Sequence, residues 1–279
     1  MNLSKINLGN NAIEVTRLGL GGEGILRTFG EEKAATTLIR AALDMGITYF
    51  ESARAYSGSE AYYGMVLGEQ RKDIFLATKS HARGAAGAAA HLKESLLNLG
   101  TDWIDLWQIH DLRSEEDLDR VFGPKGAMET FARAKKEGAV RFIGITGHEE
   151  PEIINRAMEW VEFDAVLLPV NPAEPAHLSF LSTTIPRAVE KGMWVVGMKT
   201  LARGALPRLS RNGDPGPFLR YALGTEGVSV IVVGCDNVGQ LRQNIRSVEE
   251  SVPPTPAERA EIEALVSPVA RRLLYYKPG

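Results

Sequence analysis

The chain has 279 residues, 44% of them hydrophobic and 24% charged, the balance of a globular protein that buries a large core without staples. A formal net charge of −3 points to no nucleic-acid or other polyanionic partner, and the single cysteine, Cys235, excludes an internal disulfide and a cysteine-held metal. No apolar run approaches the roughly 20 residues that cross a bilayer and the first residues lack the apolar core of a signal peptide, so a cytoplasmic protein with no membrane partner is expected.

In chain order, Lys5 to Val15 reads as a β-hairpin, with Gly9, Asn10 and Asn11 as turn residues between alternating flanks. Eight short apolar runs follow, near residues 17–21, 47–51, 74–79, 104–110, 141–146, 164–168, 194–198 and 229–233. Most are apolar on both faces, as strands buried in a parallel sheet are. Helical patterns separate them, for example Glu31 to Leu43, Ala86 to Leu99 and Val238 to Val248. Five of these patterns end at a glycine (Gly46, Gly100, Gly138, Gly192 and Gly224), which closes a helix cleanly in the left-handed conformation. Strand–helix alternation eight times over argues for a (β/α)8 barrel, with the hairpin plugging its floor. An open doubly wound sheet is the alternative, weakened by the lack of a Gly-x-Gly-x-x-Gly turn near the N-terminus. Asp111 to Pro124 reads as a solvated loop or short helix beside the sheet rim. Trp103 and Trp107 suit either the mouth of the barrel or packing between strand and helices. Glu149 and Glu150 read as first-turn helix carboxylates. Thr255 is placed to cap a last helix with Pro256 in its first turn. The tail, with Leu273, Leu274, Tyr275 and Tyr276, either folds over the pocket or docks on the barrel wall. No linker divides the chain, so residues 1–279 are expected to form one barrel domain.

Active sites of such barrels lie at the C-terminal ends of the strands. Glu51, Lys79 and His110 each close an apolar run, and Tyr56 follows Glu51 by five residues. An acid, a phenol, an ammonium and an imidazole meeting at one rim suit proton transfer to a carbonyl oxygen. Tyr56 would donate the proton, Lys79 would ease its release, Glu51 would hold Lys79 charged, and His110 would orient the carbonyl. The hydride must come from a cofactor, because no side chain supplies one.

Phe50 to Glu60 (Phe-Glu-Ser-Ala-Arg-Ala-Tyr-Ser-Gly-Ser-Glu), Ala77 to Ser80 and Asp105 to His110 resemble the aldo-keto reductases. Arg17 to Gly22, Phe142 to Thr146, Val195 to Gly204 and Val233 to Asn244 extend the likeness in order over nearly the whole chain. The resemblance implies a (β/α)8 barrel that uses NAD(P)H and an Asp–Tyr–Lys–His tetrad to reduce an aldehyde or ketone, a small-molecule carbonyl substrate. It makes Tyr56 the acid, Lys79 its activator and His110 the carbonyl orienter. It sets Gly21, Gly22 and Glu23 beside the cofactor, Met198 against the nicotinamide, and Lys199, Leu201, Arg203 and Gly204 around the pyrophosphate. It brings Gly234, Cys235 and Asp236 beside the adenosine phosphate, and Gln240, Gln243 and Asn244 to the adenine.

Departures from the family pattern are also legible. The tetrad acid is Glu51, one methylene longer than the family's Asp, and is expected to pair with Lys79 still. Where the family often has Ser-Asn, the chain has Thr146 and Gly147, followed by His148, and where it often has Asn-Gln, the chain has Leu167 and Leu168. Thr146, His148, Asn171 or backbone groups would then hold the carboxamide. Gly234 and Gln240 stand where NADP-specific members often carry Lys and Arg, with Arg242 and Arg246 nearby on other helix faces. NADP(H) is expected ahead of NAD(H). No metal is expected. The rival reading is a nucleotide-binding barrel with a redox-sensing or regulatory role and little turnover.

Overall fold

The structure, a computed structural model, describes residues 3–9, 13–249 and 252–278. A hairpin of β1 (Lys5–Leu8) and β2 (Ile13–Thr16) precedes the barrel strands. These are β3 (Leu18–Gly24), β4 (Tyr49–Glu51), β5 (Phe75–Ser80), β6 (Ile104–Ile109), β7 (Val140–Thr146), β8 (Ala165–Pro169), β9 (Trp194–Met198) and β10 (Val228–Cys235). They form a closed barrel, each hydrogen-bonded in parallel to its neighbours, with β10 returning to β3. This is the (β/α)8 fold that the alternation predicts. The hairpin turn at Asn10 and Asn11 lies outside the described residues; β1 and β2 pair antiparallel, with Leu8 opposite Ile13.

Side chains alternate across each strand with a period of two. One face looks into the barrel. There Tyr49, Phe75, Phe142 and Trp194 meet near the strand starts, Tyr49 stacking on Phe75 with ring centroids 5.1 Å apart and Phe142 meeting Trp194 edge-on at 4.7 Å. Leu8 and Val15 of the hairpin join this cluster and close the floor. The other face, carrying Leu76, Trp107, Ile143 and Ile145, packs on the helices. Trp107 is fully buried and stacks on Phe131 at 3.7 Å, so packing rather than the mouth claims it. Trp103 lies under the Arg71 guanidinium, 4.5 Å away.

The helices on the outer wall follow the same logic. In α1 (Glu32–Asp44), Ala35, Leu38, Ile39 and Ala42 recur at helical spacing and are all buried, giving one apolar stripe toward the sheet. α2 (Ser59–Leu67) and α3 (Ala85–Leu99) follow β4 and β5. Two helices stand between β6 and β7: α4 (Glu115–Phe122) and α5 (Ala127–Glu137). Residues 111–124 thus contain a helix, capped by the Ser114 hydroxyl accepting from the Asp117 N–H at 3.2 Å. α6 (Pro151–Trp160) begins one residue after Glu150, so Glu149 and Glu150 precede its first turn, and Glu149 pairs with Arg113 instead. α7 (Phe180–Glu190), α8 (Gly216–Leu223) and α9 (Val238–Glu249) complete the wall.

Gly46, Gly100, Gly138 and Gly192 take the left-handed φ expected after a helix. Gly224 does not: its φ is −85°. A Cβ there would meet Pro254 Cδ at 2.7 Å and the Arg220 carbonyl at 3.0 Å, so close approach, not handedness, requires the glycine. After Pro253 and Pro254, Thr255 and Glu258 form a full capping box on α10 (Pro256–Val266). A short α11 (Ala270–Leu273) then leads the tail back to the top of the barrel. Among the described residues, no helix is long and apolar enough to cross a membrane.

Candidate active site

The same alternation that fills the barrel delivers the site. Phe75 and Ala77 point inward on β5, so Lys79 points inward two residues later, at the rim. Tyr49 and Glu51 share the inward face of β4, and Leu106 and Gln108 of β6 are followed at the same spacing by His110, the first residue past the strand. Parallel register sets these rungs level, with Glu51 opposite Ala77 and Lys79 opposite Gln108.

Lys79 is buried and in direct contact with the Glu51 carboxylate. Its Nζ also donates to the Ser52 carbonyl at 2.8 Å and lies 3.5 Å from the Tyr56 hydroxyl. The second oxygen of Glu51 accepts the Gly22 N–H at 3.1 Å. The loop that carries Tyr56 is sewn to the neighbouring strand: the Ser52 N–H donates to the Ala77 carbonyl at 2.8 Å and the Arg54 N–H to the Lys79 carbonyl at 3.0 Å. Behind it, the buried Glu60 carboxylate accepts from Arg54, Thr78 and Ser95 at 2.7–2.8 Å. Gly22 leaves room for this loop, since a Cβ there would meet Ser59 Oγ at 2.5 Å and the Tyr56 ring at 3.0 Å. His110 donates its backbone N–H to the Ser80 carbonyl at 2.9 Å, and its ring stands edge-on to Tyr56 with centroids 6.0 Å apart. Its Nδ1 is buried and has no partner among the described residues.

Burial dominates the electrostatics of the Tyr56 hydroxyl. Burial and the Glu23 carboxylate push the Tyr56 phenol up from its ordinary value, with Arg27 acting the other way. Burial drives Lys79 well down; Glu23 opposes this, while Lys199 and Arg27 add to it. The Glu51 carboxylate touching the ammonium further opposes its loss of charge. His110 is lowered by burial and by Lys79 and His148, so its imidazole is neutral near pH 7.

A cavity of about 610 Å³ adjoins Tyr56 and Glu51. Of the cofactor residues expected from sequence, Gly21, Glu23, Met198, Lys199, Leu201, Arg203, Gly204, Gly234, Asp236, Gln240, Gln243 and Asn244 line it. Leu167 and Val232 add an apolar floor beside Met198. Lys199, Ala202 and Arg203 have φ of 54°, 45° and 54°, left-handed backbone that non-glycine residues rarely adopt, in the loop after β9. At the start of α9, Asn237 Oδ1 accepts the Gln240 N–H at 3.0 Å, which takes up one of the first-turn amides.

Gly22, Thr146, Gly147, His148 and Cys235 do not line this cavity. Cys235 is buried in the core, where its sulfur receives the Asn244 amide at 3.4 Å. Thr146 Oγ1 accepts the Asp111 N–H at 2.8 Å, and a Cβ on Gly147 would strike Ile154 at 2.5 Å. His148 bonds Asp111 and stands by His110, their ring centroids 6.4 Å apart. Asn171 spends its amide on the tail, donating to the Tyr276 hydroxyl at 2.9 Å and the Lys199 carbonyl at 3.3 Å. His81 and His91 lie off the site, ring against ring at 4.5 Å, with His91 Nδ1 2.9 Å from Ser80 Oγ. Sequence reading missed two residues. Arg27 pairs with Glu23 at 3.1 Å and lies 5.3 Å from the Tyr56 ring centre; the i,i+4 spacing was its one available signal. Asp111 reads in the sequence only as the start of a solvated loop or short helix. Tyr275 lines the cavity with Arg203 4.7 Å from its ring centre, so the tail folds over the pocket.

A barrel with this rim defines a known class. The Aldo/keto reductase family model matches residues 17–218, and the chain belongs to that family. It is 26% identical to L-galactose dehydrogenase of Arabidopsis thaliana, over 94% of this chain and 94% of that protein. It is 25% identical to the uncharacterized oxidoreductase YqkF of Bacillus subtilis, over 88% and 91%. Among solved structures it resembles the holo form of aldo-keto reductase AKR11C1 from Bacillus halodurans, with a TM-score of 0.79 and 25% identity over 95% of this chain and 96% of that one. Family and relatives mark the chain as an oxidoreductase.

Proposed function

We propose that the chain reduces an aldehyde or ketone to an alcohol with NAD(P)H, Tyr56 serving as general acid. One observation carries this reading: Tyr56, Lys79, Glu51 and His110 converge beside a cavity whose lining suits a dinucleotide. The fit is chemical. Arg203 and Lys199 offer cations to pyrophosphate oxygens, Met198, Leu167 and Val232 offer an apolar bed to a flat ring, and the volume of about 610 Å³ lies in the usual range for a ligand site.

A nicotinamide cofactor held there supplies the hydride. The protein does the rest. His110, neutral, donates a hydrogen bond to the carbonyl oxygen and fixes its direction. As the carbonyl carbon gains the hydride, Tyr56 passes its phenolic proton to the oxygen, and alcohol and tyrosinate result. The raised pKa keeps Tyr56 protonated before the reaction, and the Lys79 ammonium 3.5 Å away stabilises the tyrosinate after it. Glu51 keeps Lys79 charged and in place, and solvent returns the proton.

We take NADP(H) as the cofactor ahead of NAD(H). The cavity shares Gln243 with a smaller neighbouring cavity lined by Arg220 and Arg246, two guanidiniums that suit a 2′-phosphate. Asp236 in the main cavity and Asp214 in the smaller one act against it.

The test is an aldehyde panel followed at the nicotinamide absorbance, with cofactor binding read by fluorescence. Tyr56→Phe is expected to lower kcat by about 10²–10⁴-fold while cofactor affinity holds. Unchanged turnover removes Tyr56 as the acid.

A further inference from the structure

The rim holds a second imidazole that carbonyl reduction as described leaves idle. His148 follows β7 by two residues, and its Nδ1 lies 2.7 Å from Asp111 Oδ1. Asp111 has a φ of 61°, a strained conformation for a residue other than glycine. Its surroundings hold it there. The Asp111 N–H donates to Thr146 Oγ1 at 2.8 Å, its carbonyl accepts from Arg83 Nη2 at 2.5 Å, and its other carboxylate oxygen accepts from Arg113 Nε at 2.7 Å. Strained backbone thus aims one carboxylate at one imidazole.

That carboxylate fixes the tautomer. Burial works against the Asp111 charge, but the hydrogen bonds and charges of His148 and Arg113 hold its carboxyl well below the usual range. An ionised carboxylate only accepts, so His148 Nδ1 carries the hydrogen. Burial lowers the His148 pKa, with the Asp111 bond opposing, so the ring is neutral near pH 7 and its Nε2 is a bare acceptor.

The ring is only partly buried and stands beside the rim groups, outside the lining of the main cavity. Its centroid is 6.4 Å from that of His110, which itself neighbours Tyr56 and keeps a buried Nδ1 without a partner among the described residues. Tyr276 stands 6.4 Å away on another side, pinned by donating its hydroxyl to Glu174 at 2.8 Å and accepting from Asn171 at 2.9 Å. A simple alkyl aldehyde has nothing to offer this wall.

We propose that His148, set by Asp111, accepts a hydrogen bond from a substrate hydroxyl near the reacting carbonyl, and so selects hydroxylated aldehydes and ketones over plain ones. The inference rests on the carbonyl-reduction reading and names its substrate class. A site built to bond a substrate hydroxyl discriminates strongly against the analogue that lacks it.

The experiment compares glyceraldehyde with propanal, which differ by two hydroxyls. The ratio of their kcat/KM values is expected to favour glyceraldehyde in the parent protein and to fall by about tenfold or more in His148→Leu. His148→Gln, whose amide oxygen also accepts, is expected to restore part of the ratio. A ratio that His148→Leu leaves unchanged overturns the proposal. So does a loss of NADPH affinity large enough to account for the whole change, which would make His148 a cofactor residue. If neither carbonyl turns over, the reduction reading fails by itself, and binding of xylitol to the NADPH-loaded protein by ligand-observed NMR reads the same contact. There, weakening of about tenfold in His148→Leu supports the proposal, and equal binding overturns it.

Discussion

Glu51 shows what one methylene does at a buried site. Aspartate and glutamate both carry a negative charge to Lys79. In the fold the longer arm reaches two partners at once, Lys79 through one oxygen and the Gly22 N–H through the other at 3.1 Å. Aspartate from the same backbone position reaches one or the other. Glu51→Asp is therefore expected to lose about one charge-assisted hydrogen bond, roughly 1.5 kcal/mol, or about tenfold in kcat if the loss falls on Lys79 placement. Steady-state kinetics check this, and an unchanged kcat would show that the Gly22 contact is incidental. The pH profile belongs to the same residues. His110 is depressed below the ordinary value of about 6.5, so it stays neutral as pH falls past that point. On the acid side, reduction should hold steady as pH falls through 6.5 and decline only below. Lys79 is depressed too, so as pH rises it loses its proton below the ordinary value of about 10.4, and before Tyr56, whose pKa is raised, can ionise. The alkaline limb should therefore belong to Lys79. An acid limb centred at or above pH 6.5 would count against a buried neutral His110. The tetrad was legible because each strand-borne member ends an apolar run; Asp111 was not, because its meaning comes from His148, 37 residues away.

At the scale of elements, local pattern was enough wherever the cause was local. Apolar runs marked the strands, and helix-then-glycine marked four left-handed caps. Gly224 looked the same in sequence, yet its reason is Pro254, thirty residues on, which no window around Gly224 contains. The tail is the larger case. Nothing near Lys277 foretells that its ammonium is fully buried against Glu174 at 2.8 Å, with further bonds to the His177 and Leu178 carbonyls. That clasp, with the Tyr276 hydroxyl on the same carboxylate, seats Tyr275 in the cavity wall. Removing one partner of a buried pair strands the other's charge, at a cost of about 3–5 kcal/mol. Lys277→Met should therefore lower the stability of the tail by about that much, read as faster hydrogen exchange over residues 270–278. Exchange as slow as in the parent would show that the tail is held by Leu273 and Leu274 packing alone.

For the whole molecule, the decisive feature is where the barrel closes. β3, near the N-terminus, pairs with β10, more than two hundred residues later, with Ile231 opposite Leu18 and Val233 opposite Leu20. The candidate cofactor cavity lies over this seam: Gly21, Glu23 and Gly24 line it from one side, Val233, Gly234 and Asp236 from the other. A ligand bound there touches both ends of the chain at once and binds only the closed form. Ligand at a hundred times its Kd then stabilises the fold by about 2.7 kcal/mol, a rise in Tm on the order of 5–10 °C for a chain of this size. NADPH is expected to give the larger rise than NADH at equal concentration, because Arg220 and Arg246 lie beside the Gln243 end of the cavity. Arg246→Gln removes one of those charges, which should shrink the NADPH shift and leave the NADH shift as it was. Thermal unfolding followed by fluorescence separates the cases. A larger shift with NADH, unaltered by Arg246→Gln, would mean that Asp236 rather than the arginines sets the choice, with its carboxylate bonded to a ribose hydroxyl instead of facing a phosphate.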